Sequence, residues 1–312
     1  MGMAVIADSG QKTVTTTLAR LLRTYTFAFA LLLAVVLLIV NLIVTERFGW
    51  TEQLATFAPL AIAAMAQTPS ILSGRGGFDL TISPLMTFTS IVFVLWLVPA
   101  GLGGAVAVPI LLLIGAAIGV LNAAIIVGLR VPAMVVTLAT YFVMVGIDLK
   151  LMPTPLRLQD NWVTAFTGRI GPVPGALVLI AAPVVIWMLL GLTPYKRILY
   201  MVGSNDATAF SSGIKVSLIR TSAYALGGVF AAIGGLALTA LVSSADAGTA
   251  SSYTLIAVAA VALGGTPLTG GRGGLFGSLI GAACIYLLQT LLQASQINTT
   301  WLQLIYGLML AF

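Results

Sequence analysis

Asp79 is the residue in this chain with the most to say about chemistry. It stands in the stretch Gly76-Gly77-Phe78-Asp79-Leu80-Thr81-Ile82-Ser83-Pro84, between two apolar runs. The glycines permit unusual backbone angles, and Pro84 is tolerated near a helix start. A carboxylate at the first turn of a helix is stabilised by the free N–H groups and the helix dipole. Two readings follow. In one, Asp79 caps a helix. In the other, Gly77, Asp79 and Ser83 shape a broken helix beside a solute route. An ionised carboxylate inside a bilayer costs about 3 kcal/mol or more, so membrane acids are paired or functional. Arg75 is the expected partner. Asn122, in GVLNAAIIVG, raises the same question, because hydrocarbon offers an amide no partner. It either bonds a neighbouring helix or lines a pore. Asn41 and Gln289 read the same way.

Nothing here assembles into a catalytic centre. There is no histidine, and Cys284 is the single cysteine, so a histidine relay, a His/Cys metal site and an intramolecular disulfide are all excluded. No phosphate-binding G-x-x-x-x-G-K-[ST] loop occurs. No cofactor and no metal is expected. The few polar groups suit a conduit driven by another protein.

The elements that must hold these residues are membrane helices. The 312 residues are 60% hydrophobic and 7% charged, with a mean hydropathy of +1.12. Soluble domains carry about a quarter charged residues. The net charge of +6 sits in short loops between apolar runs, which marks topology and not nucleic-acid binding. A span needs about 20 apolar residues. Ten candidates are legible: 27–44, 54–72, 78–98, 105–128, 132–152, 175–193, 217–242, 253–265, 274–293 and 300–312. The eighth is short and bounded by glycines, as a half-helix would be. Residues 1–26 read as a cytoplasmic segment with no cleavage signal, and 27–312 as a single transmembrane domain.

An N-in, C-in arrangement puts Lys12, Arg20, Arg23, Arg75, Arg130, Lys196, Arg197, Lys215, Arg220 and Arg272 inside. Outside it leaves Arg47, Lys150, Arg157 and Arg169, with Glu46, Glu52, Asp148, Asp160 and Asp246. This obeys the positive-inside rule and requires an even helix count. Two loops exceed a turn: an external one at about 150–174, and a cytoplasmic one at about 194–216. In the second, Asn205 is a plausible N-cap for a short helix ending near Ser212. The stretches TPSILSGRGGF (68–78) and TPLTGGRGGLF (266–276) form a weak parallel repeat. Gly115/Gly119 and Gly277/Gly281 have the small-xxx-small spacing of close helix packing. Trp50, Trp96, Trp162, Trp187 and Trp301 mostly fall near expected helix ends, as an aromatic belt does.

Three stretches together resemble one family. GGFDLTIS (76–83), LYMVGSNDATAFSSGIKV (199–216) and AVAAVALGGTPLTGGRGGLFGSLIGA (257–282) are similar, in this order, to segments of ATP-binding cassette importer permeases of the ribose/xylose/galactose and branched-chain amino-acid group. The similarity covers roughly residues 50–312. It implies an all-α type II importer permease of about ten helices. It also implies two cytoplasmic ATPase subunits, a second permease subunit (identical or a paralogue) and a periplasmic solute-binding protein, in the lipid of the bacterial inner membrane. The implied cargo is a monosaccharide, with nucleosides or branched-chain amino acids as the alternative within the group and a stand-alone carrier as the alternative outside it. In this family the loop after the sixth helix docks into the ATPase. Gly203, Asn205, Ala209, Ser212, Gly213, Ile214 and Val216 match that loop. The chain departs from the pattern at Ala66-Gln67-Thr68-Pro69, Phe78, Thr81, Ser83-Pro84, Ser204 and Pro267.

Overall fold

A computed structural model describes residues 27–45, 48–159 and 161–295. The segment 1–26, the expected span 300–312, Glu46, Arg47, Asp160 and Trp301 lie outside the described residues. Eleven α-helices fill most of the remainder. They are α1 Phe27–Val44, α2 Trp50–Leu72, α3 Ile82–Val92, α4 Ala107–Gly128, α5 Ala133–Leu151 and α6 Gly175–Gly191. After these come α7 Tyr195–Ser204, α8 Asp206–Ser211, α9 Val216–Val242, α10 Tyr253–Leu263 and α11 Leu275–Ala294. Each of the first nine expected spans has a helical counterpart. Their ends shift by a few residues, as capping and fraying lead one to expect.

Not all of these helices are long enough to span. Among the described residues, six helices are long and apolar enough to cross a bilayer, or seven if α6 and α7 count as one span broken by 89°. The other two apolar runs are short. α3 continues into a wider π-helical turn over Phe93–Leu97, and α10 has 11 residues. At 1.5 Å per residue α10 covers about 16 Å, half of a hydrocarbon core. The chain entering α3 is irregular yet buried at Asp79 and Thr81, while the chain entering α10 is mixed, with Ala245 and Ala250 buried and Gly248, Ser251 and Ser252 exposed. Irregular backbone survives at membrane depth only where protein satisfies its polar groups. Here Ser83 donates its hydroxyl to the Ala250 carbonyl, so the two broken segments partner one another.

α9 is the organising helix, packed along α4, α2 and α3. Close approach comes from glycine. A Cβ on Gly115 would strike the Gly228 carbonyl, and one on Gly119 would strike the carbonyl of Tyr224. Gly277 and Gly281 meet α10 at Gly264 and Ala260 in the same way. Both small-residue pairs are therefore packing devices. Asn41 also serves packing: its amide donates to the Leu287 carbonyl, and Thr290 donates back to it at 2.9 Å. Trp187 departs from the belt expectation. It is buried in the core, with the Lys196 ammonium 5.1 Å from its ring centre.

At one end of the bundle, the 150–174 loop carries structure that periodicity did not reveal. Strand β1 (Leu156–Arg157) pairs antiparallel with β4 (Ser244–Ala245), and β2 (Arg169–Ile170) with β3 (Val173–Pro174). Trp162 lies in a 3-10 turn and donates its indole N–H to the Gly103 carbonyl at 2.5 Å.

Replacing Gly115 with leucine forces α4 off α9, and overpacking of this kind costs about 1–3 kcal/mol. Gly146→Ala, on a helix face with open space around it, should be neutral or slightly stabilising. Thermal melting of the two variants in lipid checks this. Equal midpoints would remove the close-approach role of Gly115.

Candidate functional site

The expected coupling residues gather around one end of the bundle, where three chain segments touch backbone to backbone. The loops of the two repeat stretches meet there: the Gly271 N–H donates to the Leu72 carbonyl at 3.2 Å, and Gly270 lies against Gly74. Gly203, near the end of α7, wedges between them. A Cβ on it would strike the Leu72 carbonyl and come within 2.7 Å of the Gly271 nitrogen. Two side chains of α7 secure the contact. Tyr200 donates to the Gly273 carbonyl at 2.7 Å, and Ser204 to the Gly271 carbonyl at 3.3 Å. Gly74 and Gly76 adopt positive φ of 82° and 63°, and Arg75 between them 55°, a turn that only glycine-rich sequence makes cheaply.

α8 leaves this junction as a separate short helix. Asn205 accepts the Thr208 N–H at 3.1 Å and so caps it. Ala209 is buried beneath it. At its far end Ser212 donates to the Thr208 carbonyl, Gly213 turns with φ of 81°, and the Ile214 N–H returns to the Ala209 carbonyl. Val216 then begins α9. Phe210 points away from the chain, 75% exposed. An exposed aromatic on a rigid, capped helix beside a glycine turn is a surface suited to a protein partner.

Asp206 ties α8 to the rest. Its carboxylate takes Arg75 Nε at 2.5 Å and Arg220 Nη2 at 2.9 Å, and the same Arg220 nitrogen donates to the Ser73 carbonyl at 3.2 Å. One acid thus links α8, the first repeat loop and the start of α9. Arg75 was the expected partner of Asp79; it pairs with Asp206 because the loop aims it at α8.

Asp79 lies deeper. Its Oδ1 accepts the Thr81 N–H at 3.0 Å and also the Thr81 hydroxyl. It precedes α3 by more than a cap position: Thr81 is the N-cap residue, and α3 has no side-chain cap. The capping reading gives way to a turn closed two residues on. Gln67 grips the Asp79 backbone, donating to its carbonyl at 2.6 Å and accepting its N–H at 3.3 Å. Asn122 donates to the Thr81 hydroxyl oxygen at 3.0 Å. The structure therefore brings Asp79 and Asn122 together through Thr81. Asp79 Oδ2 and Asn122 Oδ1 have no hydrogen-bond partner among the described residues. Gly77 seals this turn, since a Cβ on it would strike the Ser70 carbonyl. Ser83 stands apart, at the contact with Ala250.

Sequence reasoning missed three participants. Gln67, Asp206 and Arg220 are central, yet Gln67 showed only as a polar departure in an apolar run, and Asp206 and Arg220 sit in unremarkable polar or basic contexts. Asp148, expected on the outer side, lies buried in the last turn of α5 with neither carboxylate oxygen partnered among the described residues.

Residues 49–312 match a family described as branched-chain amino acid transport system / permease component. The chain is 32% identical over 285 residues to the ribose import permease protein RbsC of Bacillus subtilis (strain 168), covering 89% of this chain and 87% of the relative. It is 28% identical over 276 residues to the fructose import permease protein FrcC of Rhizobium meliloti, covering 85% and 76%. It is 30% identical over 256 residues to the probable ABC transporter permease protein YphD of Escherichia coli (strain K12), covering 81% and 76%. No solved structure matches the chain at a significant level. The chain belongs to this family of transport-system permease components. It is a multi-pass inner-membrane subunit of an ATP-binding cassette importer, a transport component and not an enzyme.

Asp206→Asn strands the Arg220 guanidinium, which is mostly buried, and should destabilise the protein by about 3 kcal/mol. Arg75→Gln removes a side chain that is 74% exposed and should cost under about 1 kcal/mol. Melting of both in lipid checks the contrast. A mild Asp206→Asn variant would mean that α8 is held by its backbone contacts alone.

Proposed function

We propose that this permease carries a monosaccharide of pentose or hexose size across the inner membrane. The observation that carries the driven-transport part of this reading is α8, a capped helix with an exposed Phe210, joined through Asp206 to both the first repeat loop and α9. Such a part converts a push from outside into movement of membrane helices. The sugar assignment draws support from relatives whose names specify ribose and fructose import. The family description names branched-chain amino acids, which makes an amino-acid or nucleoside cargo the second reading.

In this reading the partners are two cytoplasmic ATPase subunits, a second permease subunit and a periplasmic binding protein. Residues 1–26 precede a single membrane domain, and the end carrying α7 and α8 faces the cytoplasm with its basic residues. Closure of the ATPases drives residues 199–216, with Gly203, Asn205, Ala209, Ser212, Gly213, Ile214 and Val216 forming the element pushed. The first repeat loop and α9 shift together, because Asp206 holds both. The Asp79–Thr81–Asn122 cluster, with Gly77 and Ser83, sits where the broken helix α3 begins and serves as the gating element. Discontinuous helices in paired segments are where transporters place their pathways.

The deciding experiment is ATPase activity of the complete importer in lipid, with loaded binding protein across pentoses, hexoses and amino acids. Stimulation by one sugar is expected. Stimulation by an amino acid alone would overturn the sugar assignment. In the same assay Gly213→Trp should abolish uptake and ATPase stimulation. Read by melting, its stability should fall by no more than about 1–2 kcal/mol, the cost of the left-handed backbone, because that side chain meets open space. Normal uptake by this variant would remove the coupling role. Asp79→Asn should slow transport by about tenfold, the weight of one charge-assisted hydrogen bond. Unchanged transport would leave Asp79 a structural turn.

A further inference from the structure

A cavity of about 1020 Å³ opens beside α8, between the first repeat loop, the α4–α5 turn and the start of α9. Its polar lining is one-sided. Arg75, Arg130, Lys215 and Arg220 contribute four cations, and Asp206 is the one carboxylate among the lining residues. That carboxylate is already engaged by Arg75 and Arg220.

Two further atoms sharpen the picture. Arg220 is 8% exposed and its Nε has no hydrogen-bond partner among the described residues. Tyr224 is fully buried, one turn further along α9, and its hydroxyl is also unpartnered. Both residues line the cavity. Neither atom is open to the cavity as it stands, so both lie behind its wall, and its accessible cations are the exposed Arg130, Lys215 and Arg75. Arg130 belongs to the same design. It holds a left-handed φ of 56° at the α4–α5 turn, an unusual conformation for a side chain of this size. Ile126, Val131 and Val216 add apolar wall to the polar one.

We infer that this cavity binds a phosphate-bearing anion, held by Arg130 and Lys215 in the field of the Arg75 and Arg220 guanidinium groups. Phosphate oxygens supply several acceptors at once, and arginine forks match them in geometry. The volume exceeds a bare phosphate and suits a phosphate ester with an organic portion against the aliphatic wall. The headgroup of an anionic phospholipid and a soluble phosphorylated compound share this chemistry. The site adjoins the Asp206 clamp, so an occupant would load the contact between α8 and α9. The proposal concerns binding alone and stands whether or not the cargo is a sugar.

The test uses the full chain in nanodiscs. In one arm the discs contain phosphatidylglycerol or only phosphatidylcholine, and native mass spectrometry reads retained phosphatidylglycerol after extraction. In the other, inorganic phosphate is titrated into phosphatidylcholine discs and the thermal midpoint is followed, since a ligand of the folded state raises it. Retention of phosphatidylglycerol identifies a lipid headgroup, and a phosphate-dependent rise identifies a soluble anion. Whichever probe binds, Arg130→Gln and Lys215→Gln, at exposed positions that leave the fold intact, should each weaken it by about tenfold. Binding of neither probe, or binding of wild-type strength in both variants, overturns the inference. That result would leave the importer reading untouched, because no arm measures transport.

Discussion

The contact that the rest of the structure depends on has no side chain in it. Leu72, Gly203 and Gly271 meet through backbone atoms, and any Cβ on Gly203 is excluded by the Leu72 carbonyl. Three segments far apart in sequence are thereby held at the distance of a peptide unit. Side chains between them would act as compliant spacers, because rotamers yield more easily than backbone. Without them α7 cannot move independently of the two repeat loops. The Asp206 pairs then add α8 and the start of α9 to the same rigid assembly.

The arrangement also answers the hardest demand of the bilayer, that every buried backbone polar group find a partner inside the protein. The irregular segments before α3 and α10 meet it differently. Before α3, the Gln67 side chain acts as a surrogate peptide, giving and receiving one hydrogen bond at Asp79. Before α10, the Ala250 carbonyl receives a hydroxyl from the other broken segment. Each interrupted helix is thus completed by an element distant in sequence, which makes the interruptions part of the packing.

Much of this was legible beforehand. Spans show in hydropathy because lipid solvates the outer face of each helix, and nine of the expected runs appear as helices. Asn205 as a cap and Gly115 with Gly119 as a packing seam were readable because both rest on local rules. The partnerships were not. Sequence proximity points Arg75 to Asp79, four residues away, whereas its partner is Asp206, brought close only by tertiary packing. α3 and α10 look like spans in composition and fall short in length, since apolarity reports burial as well as lipid. Thr81 and Ser204 are departures from the family pattern, and each hydroxyl is used, one between Asp79 and Asn122, the other on the Gly271 carbonyl. Side-chain pairing across such distances leaves no period or motif to detect.

α9 has 27 residues, about 40 Å of uninterrupted helix. It begins beside the α8 clamp and ends at Ser243, next to the strand pair at the opposite end of the bundle. Its tightest contact with a neighbour, Gly228 against Gly115, lies close to the midpoint. Gly227 on Ala66, Gly228 on Gly115 and Gly235 on Met86 and Thr89 grip its middle turns from three sides. A rod gripped this way transmits load along its length and cannot take it up by bending at the middle.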